Sequence, residues 1–305
     1  MIRALALAVL LALGFASRGE AQGLTAYQAQ LYPQVNKTYA GPVDNLGTAA
    51  QFYSCSEAMS TAYAAGGGAG CTVCLPSDVH CEPLSFGTNG KLVLGTFTSA
   101  CTIAGGGTIC TIKIYVNQAN PGTSDETQTT IAQRDLFVPA AASNGCPSIS
   151  WACATAAGGQ YYSATITAIS APASVAALFN PTTTSATVIS DTTTALFLGE
   201  SASANTGQLN CPGFNFSAGL TENAAHSVQG FCASGASGLV VDGSVTTNAT
   251  ATSGSTSTTL SLDAYTAGNF PYSGSKVYQG IWLAAFNSTQ YGNQHAQDHA
   301  RFGTP

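Results

Sequence analysis

The sequence predicts a mainly β protein: one or two antiparallel β-sandwiches stapled by disulfides, preceded by a helical, cysteine-rich cap. Three observations carry this. Runs with apolar residues at every second position recur between clusters of Gly, Ser, Asn and Pro. Ten cysteines, an even set, stand at Cys55, Cys71, Cys74, Cys81, Cys101, Cys110, Cys146, Cys153, Cys211 and Cys232. Charged residues make up 7% of the chain, against about 25% in an ordinary soluble domain.

Taken in order, the chain begins with a short basic start, an apolar run from Ala4 to Phe15 and small residues ahead of Ala21. That is the pattern of a secretory signal peptide over 1–21, with Ala16 as the alternative cleavage point. It places the mature chain outside the cell, secreted or in a cell-surface matrix. No later stretch has the roughly 18 consecutive apolar residues of a membrane span.

Residues 22–88 read as the cap. Leu46, Ala49, Phe52 or Tyr53, Met59 and Tyr63 fall at helical spacing over 45–65, with Asp44 or Asn45 as the capping residue and Gly66 to Gly68 as the stop. Beyond residue 88 the period becomes two. In 108–116, Ile112, Ile114 and Val116 alternate with Lys113 and Tyr115; in 160–170, Tyr162, Ala164, Ile166 and Ala168 share one face. Further strands are expected in 91–98, 185–190, 194–200, 238–247, 258–266 and 276–286. These divide into a sandwich-like domain over 89–200 and a second one, or a continuation, over 201–305 with a polar C-terminal tail. The boundary is placed near 171–184 or 201–210.

In an oxidising compartment the cysteines read as a disulfide framework. Cys101 and Cys110 flank a glycine-rich loop, and Cys146 with Cys153 and Cys211 with Cys232 are the next pairs by proximity. Cys55, Cys71, Cys74 and Cys81 allow three connectivities. The segment from Cys71 to Cys81 also contains His80, so zinc competes with a staple as the reading of these residues. A second ligand pair is missing nearby, and Leu75-Pro76 after the Cys-x-x-Cys cannot open the long helix that a redox site needs. The staple is the reading adopted, with no cofactor.

Removing Arg3, Arg18 and Glu20 with the signal leaves six basic and thirteen acidic side chains, a net charge of −7. The cations form no cluster, which excludes a nucleic-acid partner. Four sequons, at Asn36, Asn215, Asn248 and Asn287, permit glycosylation. Nucleophile-elbow, phosphate-loop and dinucleotide motifs are missing. Asp125 and Glu126 read as a solvated turn in place of a glycosidase pair. His295 and His299, spaced i and i+4, are the one metal-site candidate, set in a tail expected to fray. His80 and His226 read as turn residues.

The expected role is therefore that of a secreted structural protein of an extracellular matrix, cell wall or surface coat, without chemistry of its own. Its partners would be matrix or cell-wall components, polysaccharide among them. The alternative is a carbohydrate- or ice-binding module using a Thr-rich or aromatic β surface, with Tyr161, Tyr272, Tyr278 and Trp282 as platform candidates. A secreted hydrolase is the third reading.

Overall fold

A computed structural model describes residues 46–56, 58–87, 92–101, 108–138, 148–151, 161–181, 187–191, 196–200, 205–211, 214–222, 224–248, 257–263, 274–302 and 304–305. The signal segment, Asn36, Tyr272, Cys146 and Cys153 lie outside the described residues. The strands are β1 (Gln51–Tyr53), β2 (Ala69–Cys74), β3 (Cys81–Ser85), β4 (Thr111–Tyr115), β5 (Glu126–Thr127), β6 (Phe137–Val138), β7 (Ser148–Trp151), β8 (Tyr162–Thr165) and β9 (Ala173–Pro181). They continue with β10 (Thr187–Asp191), β11 (Phe197–Glu200), β12 (Thr206–Cys211), β13 (Phe214–Gly219), β14 (His226–Cys232), β15 (Ser237–Val241), β16 (Ser244–Asn248), β17 (Thr259–Leu262) and β18 (Gly274–Trp282). Two α-helices are used below, α1 (Thr61–Ala65) and α2 (Ser288–Phe302).

The strands form two antiparallel sheets, so the mainly β sandwich class holds. The eight-stranded sheet runs β16-β15-β14-β9-β18-β7-β6, with β1 also paired to β18. The ten-stranded sheet runs β13-β12-β11-β10-β17-β8-β5-β4-β2-β3. Both sheets draw strands from before and after residue 200.

The main core lies between the sheets. Val175, Ala177 and Phe179 of β9 meet Leu198, Leu209, Leu260 and Leu262 of the larger sheet there. The other face of the smaller sheet carries a second core, where Phe52, Ala176, Leu178, Tyr278 and Trp282 pack with Leu46, Phe286 and Tyr291 of α2. Strand β9 is thus apolar on both faces, and alternation disappears from its sequence. The boundary placed near 171–184 falls on β9, a central strand between β14 and β18.

Among the described residues of 45–65, the helical reading holds for α1 and Leu46. Phe52 and Tyr53 are in β1 against Gly280 and Gln279, because pairing with β18 outweighs a local helical period. Ser60 caps α1 by accepting from Tyr63 N at 3.1 Å. Residues 92–98 form only the bridge of Leu92 to Phe86, not a strand. The segment 238–247 is a hairpin whose turn residues, Asp242 and Gly243, have φ of 48° and 78°, the left-handed pair that suits a tight two-residue connection.

Four disulfides are present: Cys55–Cys71, Cys74–Cys81, Cys101–Cys110 and Cys211–Cys232. The last two are the pairs that spacing favoured. Cys74 and Cys81 are directly opposed across β2 and β3, while Cys211–Cys232 ties β12 of one sheet to β14 of the other. Cys74, Cys81 and Asp78 bring three potential metal-ligand atoms within 4.8 Å of one another. The bond between the two sulfurs removes the thiolates that zinc would require. Among the described residues no helix is long and apolar enough to cross a membrane.

Candidate functional site: a neutral sheet face and an inter-sheet acid cluster

Residues directly opposite in antiparallel pairs share a face, so register alone traces a row across the ten-stranded sheet. From β13 it runs Asn215, Asn210, Phe197, Ser190, Ser261 and Ser163. It continues through Thr127, Ile114 and Thr72 to Pro83 on β3. Seven of these ten positions are Asn, Ser or Thr. The next row, Phe216, Leu209, Leu198, Ile189, Leu262 and Tyr162, faces the core and is buried throughout. The polar row is therefore the outer face. Asn215, Ser163 and Thr127 are exposed and Asn210 and Thr72 half-buried, whereas Ser190 and Ser261 at the centre are buried.

A solvated antiparallel face is polar by default. Here polar means neutral: hydroxyls and amides that both donate and accept, with no charged residue in the row.

The inner side of the same sheet carries a different chemistry. Glu126 on β5 lies directly opposite Tyr115 on β4. Tyr162 on β8, Asp263 just after β17 and Asp135 before β6 complete one wall, and Lys276 on β18 reaches in from the facing sheet. All six are at most 1% exposed. Lys276 Nζ pairs with both oxygens of Asp263, lies 3.8 Å from Asp135 Oδ2 and sits 4.9 Å from the Tyr115 ring centre. Tyr115 donates to Asp135 Oδ2 at 2.5 Å. Tyr162 donates to the Ile112 carbonyl at 2.6 Å and accepts from Asp135 N at 2.8 Å.

Tyr115 reaches this cluster through a bulge. Thr72 and Val73 pair with Ile114 and Ile112, leaving Lys113 as the extra residue. The inserted residue reverses the facing of the strand, so Tyr115 turns inward and Ile114 is only half-buried. The alternation read from the sequence has the opposite phase at these two residues.

Glu126 overturns the expectation of a solvated turn: it is fully buried, and neither carboxylate oxygen has a hydrogen-bond partner among the described residues. Burial raises its pKa well above the usual carboxylate range. Burial also raises Asp263, reinforced by the neighbouring Asp135. One lysine faces three carboxyl groups, and uncompensated buried charge is costly, so the cluster is near neutral when two of the three keep their protons. Glu126, with nothing donating to it, is the group that most favours the neutral form.

A pH dependence follows. A carboxyl whose folded pKa is raised costs the fold stability as pH climbs from the ordinary glutamate value of 4.5 towards the folded one. Glu126→Gln removes that ionisation. The variant is expected to match the parent near pH 4 and to exceed it at pH 8, with a flatter stability–pH curve in urea denaturation. A parent curve that stays flat from pH 4 to 8 would contradict the assignment.

Asp78 stands at the surface beside this cluster, where bonds from Arg134 at 2.5 and 3.0 Å and Lys113 at 2.9 Å engage its carboxylate. The Arg134 guanidinium, more than any other group, holds the Asp78 carboxyl below the usual range. Of the expected platform aromatics, Tyr278 and Trp282 are core residues under α2, and Tyr161 is half-buried. His226 is no turn residue: it is buried in β14, with Nδ1 at 2.5 Å from Asp242. His80 is exposed and meets Phe97 edge to face. Asn215 and Asn287 are exposed and Asn248 half-buried.

No protein-family model matches the chain, and no curated protein matches it in sequence. Solved structures do match in fold. A mutant GH54 α-L-arabinofuranosidase soaked with 4-nitrophenyl α-L-arabinofuranoside superposes with a TM-score of 0.64 at 14% identity, over 87% of this chain and 66% of that one. An arabinofuranosidase complexed with arabinofuranosyl-α-1,2-xylobiose gives 0.62 at 14% identity, over 86% and 65%. The chain thus spans about two thirds of the length of these enzymes, and the likeness is one of fold.

Proposed function

We propose that this chain is an extracellular carbohydrate-binding β-sandwich protein, and that it takes a neutral polysaccharide on the outer face of the ten-stranded sheet. The observation that carries this reading is the uncharged Asn/Ser/Thr row across that face. Sugar hydroxyls need groups that donate and accept without charge, and this row offers them at Asn215 and Asn210 and again at Ser163, Thr127 and Thr72, on either side of the buried Ser190 and Ser261. The fold shared with arabinofuranosidases supports a carbohydrate ligand, although fold by itself assigns no function. Repeated weak contacts of this kind add up along a polymer. The carbohydrate alternative therefore stands ahead of the structural-coat role.

Hydrolysis of a glycosidic bond is the second reading, favoured by one observation: carboxyl groups outnumber the lysine in the inter-sheet cluster. Glycosidases use two carboxyl groups in different protonation states. In this structure the cluster is closed, and a scissile bond must come within hydrogen-bond distance of its acid, so binding ranks first.

A glycan array run with an ice-recrystallisation assay tests both. Binding to neutral polysaccharide is expected, with Thr127→Glu and Ser163→Glu each weakening it at least about tenfold, since an unmatched charge must be desolvated against the ligand. Ice activity without glycan binding, or glycan binding indifferent to both substitutions, would overturn the assignment. Release of reducing sugar that Asp263→Asn abolishes would promote the hydrolase reading.

A further inference from the structure

Helix α2 is not a fraying tail. Gln294 and Asp298 are buried against the smaller sheet, where Asp298 accepts from Ser227 Oγ at 2.5 Å and from Tyr278 OH at 2.8 Å. Tyr291 stacks on Phe231 at 6.1 Å. With the helix held in this way, its two histidines have fixed surroundings.

His295 and His299 are one turn apart, with ring centres separated by 6.1 Å and planes inclined by 42°. The His295 ring lies against the β15–β16 turn, where a Cβ on Gly243 would come within 2.8 Å of its Cδ2. Its Nδ1 is buried and has no hydrogen-bond partner among the described residues. His299 Nδ1 contacts the Thr304 carbonyl. A carbonyl only accepts, so this nitrogen carries the proton and Nε2 is left with the lone pair. Metal-ligating histidines are oriented by this kind of hydrogen bond. Asp242 adjoins Gly243, with its carboxylate positioned by His226 Nδ1 at 2.5 Å and Ser227 N at 3.0 Å.

We propose that His295 and His299 form a binding site for a divalent transition-metal ion of the zinc, nickel or copper class. Imidazole nitrogen suits these ions, whereas magnesium and calcium prefer oxygen ligands. Two imidazoles leave coordination positions for water, so the site is an open one. A bound ion would clamp one turn of α2 and stabilise the folded form by mass action.

The test is zinc titration of the full, metal-stripped chain by calorimetry, with a parallel thermal melt. One saturable zinc per chain and a raised melting temperature are expected, with no isotherm for magnesium. His299→Ala alters an exposed side chain and is expected to keep the metal-free circular dichroism spectrum while weakening zinc at least about tenfold, the scale on which ligand environments act. His295→Ala should do the same, and His80→Ala should leave the isotherm unchanged. No saturable zinc binding by the parent, an isotherm indifferent to His299→Ala, or one abolished by His80→Ala would each overturn the proposal.

Discussion

Lys276→Met is expected to lower the unfolding free energy by about 3–5 kcal/mol, the cost of removing one partner from a buried charge pair. Methionine retains most of the lysine's apolar length, so the loss reports the missing charge and not a cavity. Without the ammonium, Asp263 and Asp135 face each other at no more than 1% exposure with no cation between them. The carboxyl group that Lys276 kept ionised must then take up a proton or draw in water. Pairing the change with Asp263→Leu should restore part of the loss, since an apolar replacement of both partners costs less than orphaning one. Denaturant unfolding at pH 7 reads both variants, with unchanged m-values expected. A loss below about 1 kcal/mol, the range of exposed ion pairs, would mean that solvent already reaches the cluster and would strengthen the hydrolase reading.

Replacing Cys211 and Cys232 together by alanine is expected to cost about 3 kcal/mol, the chain-entropy scale for a loop of this length. The bond closes a sequence separation of 21, against 7 for Cys74–Cys81. Its position adds to the effect, because β12 and β14 belong to different sheets. Close by, Leu209 fills the space over Gly230, where a Cβ would stand 2.5 Å from Leu209 Cδ1. Loss of the tie therefore loosens a packed junction between the sheets, whereas Cys74–Cys81 joins strands that are already hydrogen-bonded. Denaturation of the two double variants should rank Cys211/Cys232 as the larger loss. The reverse order would show that the sheets are held by core packing alone.

Much of the architecture was legible because half-buried strands write their geometry into the chain. Tyr162 and Ala164 of β8 and Leu260 and Leu262 of β17 are buried and directly opposed, as their period of two implies. Cys101–Cys110 and Cys211–Cys232 follow from loop length in the same local way. The readings that failed were those in which burial does not alternate. Strand β9 contributes to a core on each side of the smaller sheet, so its continuous apolar run lacks the alternation by which the other strands are read. Phe52 and Tyr53 carried a helical spacing that pairing with β18 overrode.

The candidate sites divide along the same line. The composition by itself determined that any ligand-binding surface would be neutral, because a chain that is 7% charged has little else to place on an exposed sheet. Only the tertiary structure decided which neutral residues share a face, since that row joins ten strands spread from Thr72 to Ser261 through register. It also decided that Glu126, Asp135, Asp263 and Lys276, distant in sequence, meet between the sheets. A carboxylate in a polar stretch such as 121–128 reads as solvated, and its burial arises from strands that arrive from elsewhere in the chain. The i, i+4 spacing of His295 and His299 could be read directly, but the carbonyl that orients one ring and the hairpin turn that buries the other belong to the folded protein.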